Sequence, residues 1–281
     1  MPKIAIVDKI HSDGIKLLED NTKFQYEIIE DLSKKNLISK LPSFDGITLR
    51  RGKIDAEILE KCKSLKVISR HGVGYDNVDI KFLKKNNIML LVTATTTAVS
   101  PAEHIMFMIL NISKGIDLYD KAVRSGRFDS IMHMKNNNNF ELANKQILII
   151  GFGRIGRKLI KRCLGFEMKV YAYDPFVDQK TIESFGGTKV NDLNEGLKKT
   201  DILSLSVPLT EKTHNMINLE KIKMMKKSAI IINTSRGGVV NEKDLNEAVN
   251  KGIIFGAGLD VFEKEPPDNN NPLLKNKRIS L

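Results

Sequence analysis

Tryptophan is absent from this 281-residue chain, cysteine occurs only twice, and no apolar run reaches the roughly 20 residues needed to cross a bilayer. Cys62 and Cys163 each fall within an apolar-periodic segment, which argues against a disulfide framework or a metal site and fits a reducing compartment. The opening Met1-Pro2-Lys3-Ile4-Ala5-Ile6-Val7-Asp8 holds too short an apolar run for a signal peptide, so a soluble cytoplasmic protein without a membrane partner is expected. The formal charge of +11 raises nucleic acid as a partner. However, lysines are spread along the chain among Asp and Glu, and no nucleic-acid module is recognisable, so a solvated lysine-rich surface is expected instead. The run Asn136-Asn137-Asn138-Asn139 reads as an irregular polar loop.

What is present is a repeated alternation of short β-rich runs and helical patterns. Strands are expected at 4–7, 24–29, 46–49, 67–69 and 89–92, with amphipathic segments at 14–18, 56–61 and 80–85 between them. A longer apolar-periodic stretch, near 101–123, follows Ser100-Pro101, where serine suits a cap and proline a first helical position. We read it as a helix joining two domains, 1–98 and 99–281. A second series follows from Ile147, with strands at 169–174, 201–207, 229–234, 255–260 and 278–281. The pattern predicts an α/β protein with two doubly wound parallel sheets, whose loops converge at the carboxyl edges where ligands bind.

The most specific local pattern is Ile147-Leu148-Ile149-Ile150-Gly151-Phe152-Gly153-Arg154-Ile155-Gly156, followed at the end of the next apolar run by Asp174. An apolar strand leads into a turn in which Gly151 allows the bend, Gly153 admits a pyrophosphate close to the backbone, and Gly156 lets the helix pack on the strand. The helix opening near Arg154 and Ile155 presents unpaired N–H groups to an anion. A carboxylate at Asp174 accepts hydrogen bonds from ribose hydroxyls and repels a 2′-phosphate, which favours NAD over NADP. The other reading of Asp174-Pro175 is a plain strand end.

Several further segments lie in a telling order: 70–79 (RHGVGYDNVD), Ala102-Glu103-His104, the glycine turn with Asp174, Val207-Pro208-Leu209-Thr210, Ile232-Asn233-Thr234-Ser235-Arg236-Gly237, and 258–266 (GLDVFEKEP). In these motifs the chain resembles the D-isomer-specific 2-hydroxyacid dehydrogenases, the group that includes phosphoglycerate dehydrogenases and hydroxypyruvate or glyoxylate reductases. The resemblance covers the chain from Arg70 onward. It implies a flavodoxin-like substrate domain in 1–98, a Rossmann NAD-binding domain in 99–281, and hydride transfer between nicotinamide and C2 of a small 2-oxo or 2-hydroxy acid.

It also implies residue roles. Arg236 binds the substrate carboxylate and polarises the carbonyl, a task its guanidinium fork suits. The alternative for Arg236 is a surface or phosphate-binding arginine. Val73 and Gly74, in the Gly72-Val73-Gly74 loop, offer backbone N–H groups to the same carboxylate. Val207, Thr234, Ser235 and Asp260 match cofactor-contact positions, Asp260 near the nicotinamide carboxamide. Glu265 matches the carboxylate that holds an acid–base histidine. Apart from the resemblance, Arg50 and Arg51 follow a first-domain strand, where they are either candidates for a phosphate or second carboxylate or ordinary exposed arginines at a strand end.

The histidine that Glu265 would hold belongs just beyond 276–281, so a truncated chain lacking that segment is expected. Among the other histidines, His11 and His133 fall in connections, His214 follows the turn at Thr210, and His104 reads as a packing residue in the joining helix. Only His71, beside the proposed carboxylate loop, is placed to substitute. Two functions therefore stay open at this point: an NAD-dependent D-2-hydroxyacid dehydrogenase, or a catalytically silent NAD-binding sensor or partner-binding module. The resemblance further implies homodimers formed through the nucleotide-binding domain.

Overall fold

A computed structural model of the chain describes residues 1–93, 98–132 and 139–281, which group into two compact units, Met1–Thr97 and Ala98–Leu281. His133 and Asn136 to Asn138 lie outside the described residues.

The first unit alternates β1 (Lys3–Val7), α1 (Ser12–Glu19), β2 (Gln25–Ile29), α2 (Lys34–Lys40), β3 (Gly46–Leu49), α3 (Ala56–Lys61), β4 (Val67–Arg70), α4 (Ile80–Lys85) and β5 (Met89–Val92). All strand pairs are parallel, in the order β2-β1-β3-β4-β5. The strand order reverses between β1 and β3, so the loops after these two strands flank a switch-point crevice. Helix starts follow from side-chain caps: Ser33, Asp55 and Asp79 accept from the amides of Asn36, Ile58 and Phe82. Each such cap stabilises its helix by about 1 kcal/mol. Helix α2 was not anticipated because Leu37 is its one buried residue, too weak a periodicity to register. Ile47, Leu49, Ile58, Leu59 and Ile68 form the centre of this unit's core.

The second unit begins with α5 (Val99–Lys114), α6 (Ile116–Arg124) and α7 (Phe128–Met132). The single joining helix expected near 101–123 is thus two helices. Gly115 adopts φ 60° and its amide bonds back to the Asn111 carbonyl, a left-handed stop that ends α5. Ser100 does not cap it: the helix starts at Val99 after Ala98, and Pro101 occupies its third position, where a missing N–H costs nothing.

A seven-stranded sheet follows, built from β6 (Gln146–Ile150), α8 (Arg154–Gly165), β7 (Lys169–Tyr173), α9 (Gln179–Ser184), β8 (Thr188–Lys189), α10 (Leu193–Lys199), β9 (Ile202–Leu205), α11 (Leu219–Lys223), β10 (Ile230–Asn233), α12 (Glu242–Asn250), β11 (Gly256–Leu259) and β12 (Ile279–Ser280). The order is β12-β11-β10-β9-β6-β7-β8, again all parallel. Alternation explains the unbroken apolar runs. Leu148, Ile150, Leu203, Leu205 and Ile231 enter one buried layer, whereas Ile147, Ile149, Ile202, Ile230 and Ile232 enter another, so both faces of the sheet are covered. Strand order reverses between β6 and β9, which makes the loops after these strands the second unit's switch point.

Candidate functional site

The glycine turn after β6 is shaped by backbone crowding. Gly151 has φ 93°, and a Cβ there would run into the Ser206 carbonyl at the end of β9. A Cβ on Gly156 would lie 2.5 Å from the Gly151 carbonyl oxygen and 3.4 Å from Ile149 Cγ2, so the helix closes directly onto the turn and strand. Gly153 is different: nothing lies within 4 Å of its Cβ position. It is also the N-cap of α8 and supplies no capping side chain, unlike Asp178, Asn218 and Asn241 at α9, α11 and α12. The helix therefore starts at an uncrowded position and presents its first-turn amides and the positive end of its dipole there. Arg154 and Ile155 are its first residues, with Ile155 turned partly into the core.

Asp174 is tied to this turn. Its Oδ2 accepts from the Phe152 amide at 2.8 Å, and its Oδ1 accepts from the Phe176 amide at 2.8 Å. The half-buried carboxylate thus sits beside the glycine loop although it is 22 residues from Phe152 in sequence. The Phe152 ring is fully buried and meets Phe185 edge-on, which anchors the loop from below.

The loops after β9, β10 and β11 complete this edge. Val207 packs beside Gly151, and the hydroxyls of Ser206 and Thr234 are buried with no hydrogen-bond partner among the described residues. Ser235 is buried and its hydroxyl donates to Asn233 Oδ1 at 2.7 Å, so it shapes the loop. Asn233 also donates to the Arg236 carbonyl at 2.9 Å. The half-buried Arg236 donates from Nη1 to the Ser235 carbonyl at 2.6 Å, which holds the guanidinium near its own loop. Gly237 lies flush against the peptide of Phe262 and Glu263, where a Cβ would overlap the Phe262 carbonyl. Backbone contact through Gly237 thereby locks the loop bearing Arg236 to the loop bearing Glu265. Glu265 itself is exposed, with Oε1 accepting from the Phe262 amide at 3.1 Å.

Asp260, at the end of β11, is exposed and lies 3.5 Å from His104 Nε2. His104 is therefore no enclosed packing residue: its ring stacks on Phe107 at 5.8 Å and reaches the loop edge.

In the first unit, the loops after β1, β3 and β4 carry the candidate residues. Asp8, which the sequence reading passed over, is buried at φ 71° and receives Arg51 through Nε at 2.6 Å and Nη2 at 3.1 Å. Hydrogen bonding from Arg51 holds the Asp8 carboxyl below the ordinary carboxylate value of 3.8, against the opposing effect of burial. Arg50 leans on the Lys9 carbonyl at 3.3 Å and lies 3.5 Å from Asp8. The visible signal for Asp8 was its place at the carboxyl end of the first strand. Arg70 organises the next loop by donating to the Leu49 and Arg50 carbonyls and to Asn77 Oδ1. The Gly72 amide is taken by Thr93 Oγ1 at 2.8 Å, whereas the amides of Val73 and Gly74 have no backbone partner among the described residues.

Both cysteines are buried thiols, with burial raising Cys62 to about 11 and Cys163 to about 12. Among the described residues no group of three or more His, Cys, Asp or Glu side chains is placed to hold a metal, and no helix is long and apolar enough to cross a membrane.

Residues 106–281 match the D-isomer specific 2-hydroxyacid dehydrogenase, NAD binding domain. The chain is 39% identical over 275 residues to a D-3-phosphoglycerate dehydrogenase of Methanocaldococcus jannaschii, covering 98% of this chain and 51% of that protein. It is 35% identical to a hydroxypyruvate reductase of Thermotoga maritima, covering 99% and 88%. Among solved structures it is similar to a D-lactate dehydrogenase from Aquifex aeolicus complexed with NAD and lactic acid, at a TM-score of 0.84 and 28% identity over 98% of this chain and 86% of that one. The chain spans about half the length of the phosphoglycerate dehydrogenases it matches. With two parallel sheets of this order and the motif set in place, the chain belongs to the D-isomer specific 2-hydroxyacid dehydrogenase family, and its second unit is that family's NAD-binding domain.

Proposed function

We propose that the chain serves an NAD-dependent oxidoreductase acting at C2 of a small D-2-hydroxy or 2-oxo acid. The observation that carries this reading is the Asp174 carboxylate held at the Phe152 amide, beside an uncapped helix start and an open Gly153. A dinucleotide fits these groups. Gly153 leaves room for a pyrophosphate at the amides of Arg154 and Ile155, Asp174 offers its remaining lone pairs to a ribose diol, and the orphaned hydroxyls of Ser206 and Thr234 line the same edge.

The bound nicotinamide supplies the hydride donor or acceptor. In the second unit Arg236 pairs with the acid's carboxylate and stabilises charge on the carbonyl oxygen. The first unit, taken by itself, offers the Val73 and Gly74 amides as carboxylate-binding groups. Glu265 keeps one oxygen on the Phe262 amide and leaves the other to accept from an acid–base group, and Gly237 fixes its loop against that of Arg236. Val207 and Asp260 flank the nicotinamide end, and Ser235 sets the loop geometry; Arg50, in the first unit, is a candidate to bind an anionic group. The exposed Phe107, Ile116, Leu118, Val123 and Phe128 on α5 to α7 support a homodimer through the second unit.

Calorimetry with NADH and turnover assays with glyoxylate and hydroxypyruvate test the proposal. NADH binding that is lost in Asp174→Ala, and turnover that falls about 10² to 10³-fold in Arg236→Ala, are expected. Undiminished turnover in Arg236→Ala removes that residue from the mechanism. Binding with no turnover of any 2-oxo acid favours the silent nucleotide-binding module instead.

A further inference from the structure

His104 is left unused by the proposed chemistry, yet it is held by two contacts. Its ring lies within 20° of parallel to Phe107 at a centroid distance of 5.8 Å, and its Nε2 is 3.5 Å from Asp260 Oδ1. The pairing joins the second turn of α5 to the carboxyl end of β11, two elements that pack together in the core. Neither partner is deeply buried, with side-chain exposures of 38% and 54%, so a proton can reach the imidazole from solvent. Of the charged groups on the helices packed against α5, Arg162 of α8 pairs with Glu103 of α5 itself at 2.7 Å, Arg157 of α8 donates to the Phe152 carbonyl at 3.2 Å, Arg124 of α6 pairs with Asp120 at 2.8 Å, and Asp117 of α6 accepts from Asn111 at 3.1 Å, two turns further along; α8 also carries Arg154, Lys158 and Lys161, and α6 Lys121. Asp260 is the carboxylate that His104 reaches.

We propose that His104 is a positioning residue for Asp260, and that its protonation sets the balance between oxidised and reduced nicotinamide bound at this edge. The inference rests on the reading that Asp260 faces the nicotinamide. The oxidised ring carries a positive charge and the reduced ring does not. A bare Asp260 carboxylate therefore favours the oxidised form, whereas imidazolium 3.5 Å away offsets that carboxylate and removes the preference. Linkage makes the effect reciprocal: binding NAD⁺ disfavours the proton on His104, and NADH does not. A packing role alone carries no such distinction between the two forms.

The test is calorimetric titration of the chain with NAD⁺ and with NADH between about pH 5.5 and 8, the range in which imidazoles change charge. The ratio of NAD⁺ to NADH affinity is expected to fall about fivefold from the upper to the lower end in the wild type. In His104→Gln the ratio stays level, and in His104→Lys it stays near the low-pH value throughout. A proton NMR titration of the wild type gives a second readout that needs no variant: the His104 ring midpoint lies lower with NAD⁺ bound than with NADH. A wild-type ratio that tracks His104→Gln across the range, or equal His104 midpoints in the two complexes, overturns the proposal while leaving the nucleotide site intact. Failure of the wild type to bind either nucleotide instead overturns the site assignment, and this proposal with it.

Discussion

One methyl group separates two roles at neighbouring glycines of the turn after β6. At Gly156 it has no room, since Gly151 O lies 2.5 Å from its Cβ position, whereas at Gly153 it enters empty space. Gly156→Ala is expected to cost about 1–3 kcal/mol of stability, measured by denaturant unfolding. Gly153→Ala is expected to stay within about 0.5 kcal/mol of wild type while NADH affinity drops tenfold or more, because the methyl fills the pyrophosphate cradle. The two glycines are equivalent letters in the motif; their packing distinguishes them. At the other sheet, Asp8 links stability to acid. Its folded value lies below 3.8 because Arg51 binds the ionised form, so the stabilisation is present above pH 3.8 and is lost as pH falls through the folded value. Asp8→Asn is expected to cost about 1 kcal/mol at pH 7, since Arg51 is largely in water, and to flatten acid unfolding in that window. An unchanged acid limb in urea titrations at pH 2 to 5 contradicts this account.

Elements were legible where periodicity is strong and ambiguous where a single residue redirects the chain. The spans Gly46–Leu49, Ala56–Lys61, Ile80–Lys85 and Met89–Val92 match the expected limits, since apolar spacing and Asp caps agree there. The joining segment did not, because its apolar period runs through Gly115 without interruption and only the backbone reveals φ 60°. A Cβ at Gly115 would stand 3.2 Å from both Tyr119 and Asn139, in a conformation that side chains rarely adopt. Gly115→Ala is expected to destabilise the second unit by about 1–2 kcal/mol, read as a lowered unfolding midpoint. A neutral or stabilising result means that α5 and α6 tolerate fusion into one helix. The two-residue strand β8 escaped notice for a related reason: so short a segment has no period to detect.

For the molecule as a whole, charge and apolar exposure pull in different directions. A formal charge of +11 keeps copies apart, while α5 to α7 expose Phe107, Ile116, Leu118, Val123 and Phe128. If these residues form the proposed homodimer surface, Leu118→Glu with Val123→Glu shifts sedimentation from dimer to monomer without unfolding the chain. A monomeric wild type at tens of micromolar refutes that surface.

Residue types and their spacing were sufficient for the α/β class, the parallel strands, the glycine turn and the family, because periodicity and turn chemistry are local properties written along the chain. Which side chains meet was decided by folding alone. The Phe152 amide engages Asp174, Gly237 presses on the Phe262 peptide, Arg51 grips Asp8, and His104 turns to Asp260. Parallel strands gather loops from distant parts of the sequence at one edge, and no linear pattern encodes their distances.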